Sequence, residues 1–459
     1  NETFSITLSN PSEASIGAQS TTTITITDND NPPTIFVGTL AQLAEGTAIN
    51  KEVDEDVGAT NFQITVSPQS EKAISIDYSI DLTNSTAKDG QDYNSLASSG
   101  TIDLAAGETS TTIDFNVLSD LVSEPAQTII IELDPLSAIN ATADGAMYTG
   151  TMTIGDDDPA PTVYFNAGSP TSATEGANGN TSTKTFTVTL SDTSEKTIIV
   201  PYTVAGVVNT NVGGDTWNPG PIGGGQDYTS AANTLTINPL LSLSSASINI
   251  TVVGDDIDEY NESFTITLGG DDLANATLHP TNATVWTYEI TDDDDAPTAS
   301  ISAGDAVAEN IAPDATITLS AASEKITSFT VTPADVTATL SSDEGVDGGD
   351  YYIENSTVSI AAGETTGLIE ITGVDDTKYE GNETFTLTVV SDSTNNATIN
   401  TATATFTLVD DDVKSNLSFA GTSQFVDENV VGGTVNIPLS LNKASGFDTP
   451  ITFSVINTD

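Results

Sequence analysis

The chain has 459 residues, 66 of them acidic and 9 basic, for a formal net charge of −57, and it contains no cysteine. Such a field repels DNA, RNA and anionic lipid surfaces, so nucleic-acid binding is excluded and cations are the natural partners. Disulfides, thiolate zinc sites and cysteine nucleophiles are ruled out. No apolar run approaches the ~20 residues of a membrane helix, and no membrane contact is expected of this segment. Every basic residue is a lysine. A salt-adapted surface would explain scattered acids, but not acids that recur at fixed places in a repeat.

The repeat emerges in chain order. Residues 1–30 read as the last two strands of a β-unit, closing in Thr27-Asp28-Asn29-Asp30. Complete units are predicted over 31–158, 159–295 and 296–412, and 413–459 reads as the first three strands of a further unit. The array is therefore expected to continue past both ends. Each unit closes on a run of carboxylates: Ile154-Gly155-Asp156-Asp157-Asp158, Thr291-Asp292-Asp293-Asp294-Asp295 and Val409-Asp410-Asp411-Asp412. The first two runs lead through a proline into the next unit. Adjacent carboxylates repel unless something neutralises them, and proline stiffens the exit. A hard divalent cation at each joint is the simplest neutraliser.

Within each unit, short runs alternate apolar and hydroxyl residues, as half-buried strands do. The second strand is Phe62 to Val66, Phe186 to Leu190 and Thr316 to Leu319 in the three copies. A turn follows: Ser70-Glu71-Lys72, Ser194-Glu195-Lys196, Ser323-Glu324-Lys325. Next come Gly90-Gln91-Asp92-Tyr93, Gly225-Gln226-Asp227-Tyr228 and Gly349-Asp350-Tyr351, then hairpin tips at Ala105 to Thr109 and Ala361 to Thr365. With no helical period, the predicted fold is all-β: tandem seven-stranded immunoglobulin-like sandwiches arranged end to end. Two insertions stand out, a Gly-rich loop from Asn209 to Gly225 around Trp217 and a longer last hairpin from Ser137 to Gly150. The simplest reading of Trp217 is a ring folded onto its own loop; contact with a ligand is the other.

An early Glu, an Asp-Tyr pair, an acidic loop and a closing Asp run, repeated along nearly the whole chain, resemble Calx-beta domains. That family is the calcium-binding β-sandwich of sodium–calcium exchangers, an integrin β subunit and many large bacterial surface proteins. The resemblance implies calcium at the end of each unit where the last strand finishes. The matched positions of the third unit are Glu309, Asp350, Asp375, Asp376, Glu380, Glu383, Asp410, Asp411 and Asp412. Those of the second are Glu175, Asp227, Asp255, Asp256, Glu259, Glu262, Asp292, Asp293 and Asp294. The first offers Glu45, Asp92, Asp120, Glu124, Asp156, Asp157 and Asp158. There Ser119 and Gln127 replace acids, so fewer or weaker ions are expected. The partial units add Glu2, Asp28 and Asp30 at one end and Glu428 at the other.

The donor set agrees with the resemblance. Calcium takes roughly six to eight oxygens in irregular geometry, whereas magnesium gives up its waters reluctantly. The matched positions include no His or Cys, which disfavours zinc and copper. An enzyme is not expected: the single histidine, His279, sits in the polar stretch Leu278-His279-Pro280. Lys72, Lys196, Lys325 and Lys443 fall in one repeated turn; they pair with a local acid or bridge neighbouring acidic chains. The function expected is a calcium-rigidified stalk or filament segment of an extracellular, cell-surface protein. A ligand-binding adhesin region or a self-assembling fibre of like chains is the alternative, and a calcium sensor is less favoured.

Overall fold

A computed structural model of the chain describes all residues except 47–48, 207–226, 231–232, 239–243, 343–347, 392–395, 424, 427–433 and 457–459. The Trp217 loop and Glu428 lie outside the described residues.

Three hydrophobic cores, each closed by two facing sheets, follow one another along the chain. In the first unit one sheet runs Ile49–Asp54, Thr149–Gly155, Gln127–Leu133, Ile74–Ile80, Ser99–Leu104. The other runs Thr142–Ala143, Thr34–Val37, Ala59–Ser67, Ser110–Val117, Tyr93–Asn94. Period-two alternation sends Phe62, Ile64 and Val66 inward from Ala59–Ser67, all fully buried. Aromatic stacks fill the centres, Phe62 on Phe115 in the first unit and Tyr351 on Phe385 at 3.8 Å between ring centroids in the third.

Each unit carries more strands than the seven predicted, because the first strand is split between sheets and short strands, such as Tyr93–Asn94 and Thr142–Ala143 in the first unit, join the sheet edges. Thr34–Val37 pairs antiparallel with Ala59–Ser67, and the chain then crosses so that Ile49–Asp54 runs parallel to the final strand Thr149–Gly155. Ser172–Thr174 and Val307–Ala308 do the same beside Val285–Thr291 and Thr403–Val409. Two strands thereby finish side by side at one end of every unit. Two further expectations are corrected. The tip at Ala105 to Thr109 is an arch, since Ser99–Leu104 and Ser110–Val117 belong to opposite sheets. A six-residue helix, Leu40–Glu45, also interrupts the first unit. It is capped by Thr39, whose hydroxyl accepts from Gln42 N while Gln42 Oε1 accepts from Thr39 N, and is closed by Gly46 at φ 66°. It is too short to show a helical period.

Candidate metal centre

The split strand positions the early glutamate. Asp54 pairs with Gly155, Thr174 with Thr291 and Ala308 with Val409 in parallel register. One residue onward, Glu55, Glu175 and Glu309 come alongside the closing Asp runs. The glutamate of the first unit is therefore Glu55 and not Glu45, which ends the helix, exposed and outside the cluster. A readable signal was the strand-end pattern Val53-Asp54-Glu55, like Ala173-Thr174-Glu175 and Val307-Ala308-Glu309.

Among the described residues three clusters result, alike in the early glutamate and the last aspartate of the closing run: Glu55, Asp157 and Asp158; Glu175, Asp292 and Asp294; Glu309, Asp376 and Asp412. In each, one carboxylate oxygen per residue lies within 4.8 Å of the others. Two units hold a second cluster, Asp227 with Glu259 and Glu262, and Asp350 with Glu380 and Glu383. Buried Tyr228 and Tyr351 anchor the neighbouring Asp227 and Asp350, whose carbonyls accept from Val253 N and Val374 N across the acidic loop.

The remaining predicted positions flank these groups. Asp120, Asp255 and Asp376 each cap their own loop by accepting from the backbone N two residues on, at 2.7–2.8 Å. Asp255 thus matches Asp376, one step off the register that pairs it with Asp375. Asp256 accepts from Asn178 N and Asp293 from Gly176 N, Asp410 binds Glu380 N at 2.7 Å, and Asp375 and Asp411 are exposed. In the first unit Asp92 accepts from Lys88 N, and Gln127 donates its amide to Glu124. Among the described residues that unit has no second cluster.

The clusters are short of partners. Glu55 Oε1, Asp158 Oδ2, Glu175 Oε1, Glu262 Oε2, Asp294 Oδ2 and Asp412 Oδ2 are buried without a hydrogen bond among the described residues. Burial, reinforced by Asp255, Asp292 and Asp294, raises Glu175 to about 8. Burial likewise lifts Glu55 and Glu309 to about 7 and Asp294 to about 6. Glu259 reaches about 10 through burial and then the charge of Glu324. Glu262 and Glu383 are raised by burial and then by Asp227 and Asp350. Dehydrated like charges this close cannot all remain ionised unless a cation joins them. Orphaned oxygens and an all-oxygen donor set fit a hard divalent cation.

Lysines supply partial neutralisation that the sequence left open. Lys378 Nζ stands 3.1 Å from Asp376 and 3.7 Å from Glu380. The lysines of the repeated turn reach back across the joints: Lys72 to Asp28 at 3.1 Å, Lys196 to Asp156 at 2.5 Å, and Lys325 to Asp258 at 2.7 Å and Asp292 at 3.2 Å. Burial works to lower Lys325, but its bonds to the two carboxylates outweigh this and hold it above the ordinary value. Lys443 bonds Asp412 at 3.4 Å from a different place in the turn. His279 is half-buried against Tyr164 and accepts from Thr281 N and Asn282 N through Nδ1.

The Calx-beta domain profile matches residues 47–158, 220–294 and 292–412. Among solved structures, CBD12 from CALX1.2 is 17% identical over 56% of this chain and 99% of its own, with a TM-score of 0.24. The calcium binding domain CBD12 of CALX1.1 is 18% identical over 53% and 96%, TM-score 0.23. The apo-form Calx CBD1 domain is 19% identical over 28% and 100%, TM-score 0.23. Overlap this loose says nothing of what the chain binds. No curated protein matches it.

Proposed function

Because this chain belongs to the Calx-beta domain family, we propose that it is a non-enzymatic calcium-binding segment of an extracellular or cell-surface stalk, stiffened by ions held at the unit ends. The observation that carries this reading is the convergence of buried, partnerless carboxylate oxygens at one end of each unit. Glu175, Asp292 and Asp294 would hold one ion, and Asp227, Glu259 and Glu262 another, with the third unit built alike. The first unit would hold fewer, because Gln127 stands where Glu262 and Glu383 stand in the others.

A bound cation supplies the positive charge that lets these carboxylates stay ionised together. The residues tie the end of the last strand to loops of the same unit, beside a linker of two or three residues. Calcium at about 100 times its dissociation constant adds ~2.7 kcal/mol per independent site. Small-angle scattering of the chain in millimolar calcium and in chelator tests the mechanical part. The expected result is a stiff, extended particle that becomes shorter or more flexible on chelation. Identical profiles would leave the acids as a solvated surface.

A further inference from the structure

In the second and third units the loop that begins with the early glutamate crosses the strand end leading into the acidic loop. In the second unit, residues 175–180 carry the chain from Ser172–Thr174 to Thr181–Leu190. Gly254 N donates to Asn180 O at 3.0 Å, and Gly179 N donates to Gly254 O at 3.2 Å. The same loop is tied to acids on both sides, with Gly176 N donating to Asp293 and Asn178 N to Asp256. Glu175, at the head of the loop, is 5% exposed.

The crossing leaves no room for a side chain. A Cβ on Gly254 would overlap the carbonyl of Gly176 and stand 3.0 Å from Glu175 O. In the third unit, a Cβ on Gly373 would overlap the carbonyl of Glu309 and stand 3.2 Å from Ile311 O. Neither glycine has the left-handed backbone that favours the residue, so close approach is what requires it. The two are not one position of the repeat. Gly373 pairs with Tyr351 as Val252 pairs with Tyr228, which places Gly254 two residues further on. The first unit has Val117 and Ser119 at these places. There Glu55 opens a short helical turn, Glu55–Val57, closed by Gly58, whose carbonyl accepts from Val117 N at 2.9 Å.

We propose that Gly254 and Gly373 are positioning residues of the metal centres. Their missing side chains let the glutamate loop lie directly on the strand end, and this holds Glu175 and Glu309 beside the closing Asp runs. The inference rests on the calcium reading above and names two residues that are not themselves ligands. An alanine at either place lifts the loop, because a carbonyl in the backbone cannot swing aside as the tip of a side chain can. The glutamate then leaves its cluster while the other acids stay.

The test uses the whole chain with Gly254→Ala, Glu175→Gln and the two together. Gly145→Ala is the control, because a Cβ there meets nothing within 4 Å. Each is measured by calorimetric calcium titration and by thermal unfolding in chelator. In calcium, G254A should weaken the same class of site as E175Q, by about tenfold or more, and the double variant should bind no worse than the weaker single one. In chelator, E175Q should raise the melting temperature of the wild-type chain by removing a buried repelling charge. It should leave that of the G254A chain unmoved, since the glutamate has already left. G145A should match wild type in both. Gly373→Ala with Glu309→Gln repeats the comparison in the third unit should the second fail to fold. The inference is overturned if G254A binds calcium as wild type does, if E175Q shifts melting equally in both backgrounds, or if the losses of affinity add, which marks a purely structural residue. A wild-type chain that takes up no calcium, yet shows the coupling in chelator, refutes the calcium reading and leaves the positioning role standing.

Discussion

Replacing Lys325 by Met tests the charge balance of the joint without removing any proposed ion ligand. Its ammonium bonds Asp258 and Asp292, whose side chains are only 5% and 11% exposed, and is itself 16% exposed. Removing one partner of a fully buried ion pair costs about 3–5 kcal/mol, because the other charge is stranded. The slight exposure, and the rehydration of both acids if the joint opens, reduce this to ~2 kcal/mol. In a unit of this size that corresponds to a fall of roughly 6–10 °C in the transition that includes the second unit. Lys72→Met is the internal comparison. Lys72 and Asp28 are 60% and 39% exposed, so water and salt screen that pair and a much smaller shift is expected there. Differential scanning calorimetry in chelator reads both variants. Indistinguishable shifts for K325M and K72M would refute the claim that burial at the second joint makes its lysine structural.

Three further outcomes follow from the same geometry. Glu55→Gln should weaken calcium binding by the first unit whereas Glu45→Gln should leave it unchanged, a pair that calorimetric titration separates. Gln127→Glu should create a second ion site in the first unit, adding calcium to the measured stoichiometry and lowering stability in chelator. For pH, Glu55, Glu175, Glu259 and Glu309 all have folded-state values raised above the unfolded one. The folded state then binds more protons, so metal-free stability is full below about pH 4.5 and falls as pH rises through about 7–10. Chelated protein should therefore melt higher at pH 5 than at pH 8, while calcium should remove or reverse that order. A chelated melting temperature that rises from pH 5 to 8 would contradict the assignment of those burials.

Much of this was legible because strands write their burial into alternating residues. Phe186-Thr187-Val188-Thr189-Leu190 can bury one face only, and the Asp runs recur at the close of each unit. What stayed hidden depends on pairing. Glu45 and Glu55 are the same residue type; only the register of Ile49–Asp54 beside Thr149–Gly155 carries one to the cluster and leaves the other on a helix. The one-residue offset between Asp255 and Asp376 needed the loop hydrogen bonds. The turn lysines act on a neighbouring unit, and composition within a single repeat carries no record of a contact made between repeats.

The central claim is that these carboxylate clusters bind calcium, and counting bound ions tests it most directly. The chain would be dialysed to equilibrium against calcium, with and without excess magnesium, and the calcium retained per chain determined. The account predicts saturable uptake of several ions per chain that magnesium displaces poorly, since so many carboxylates would have to strip its waters. Uptake that never saturates, or that magnesium abolishes at equal concentration, would mean that the acids form only a diffuse anionic surface.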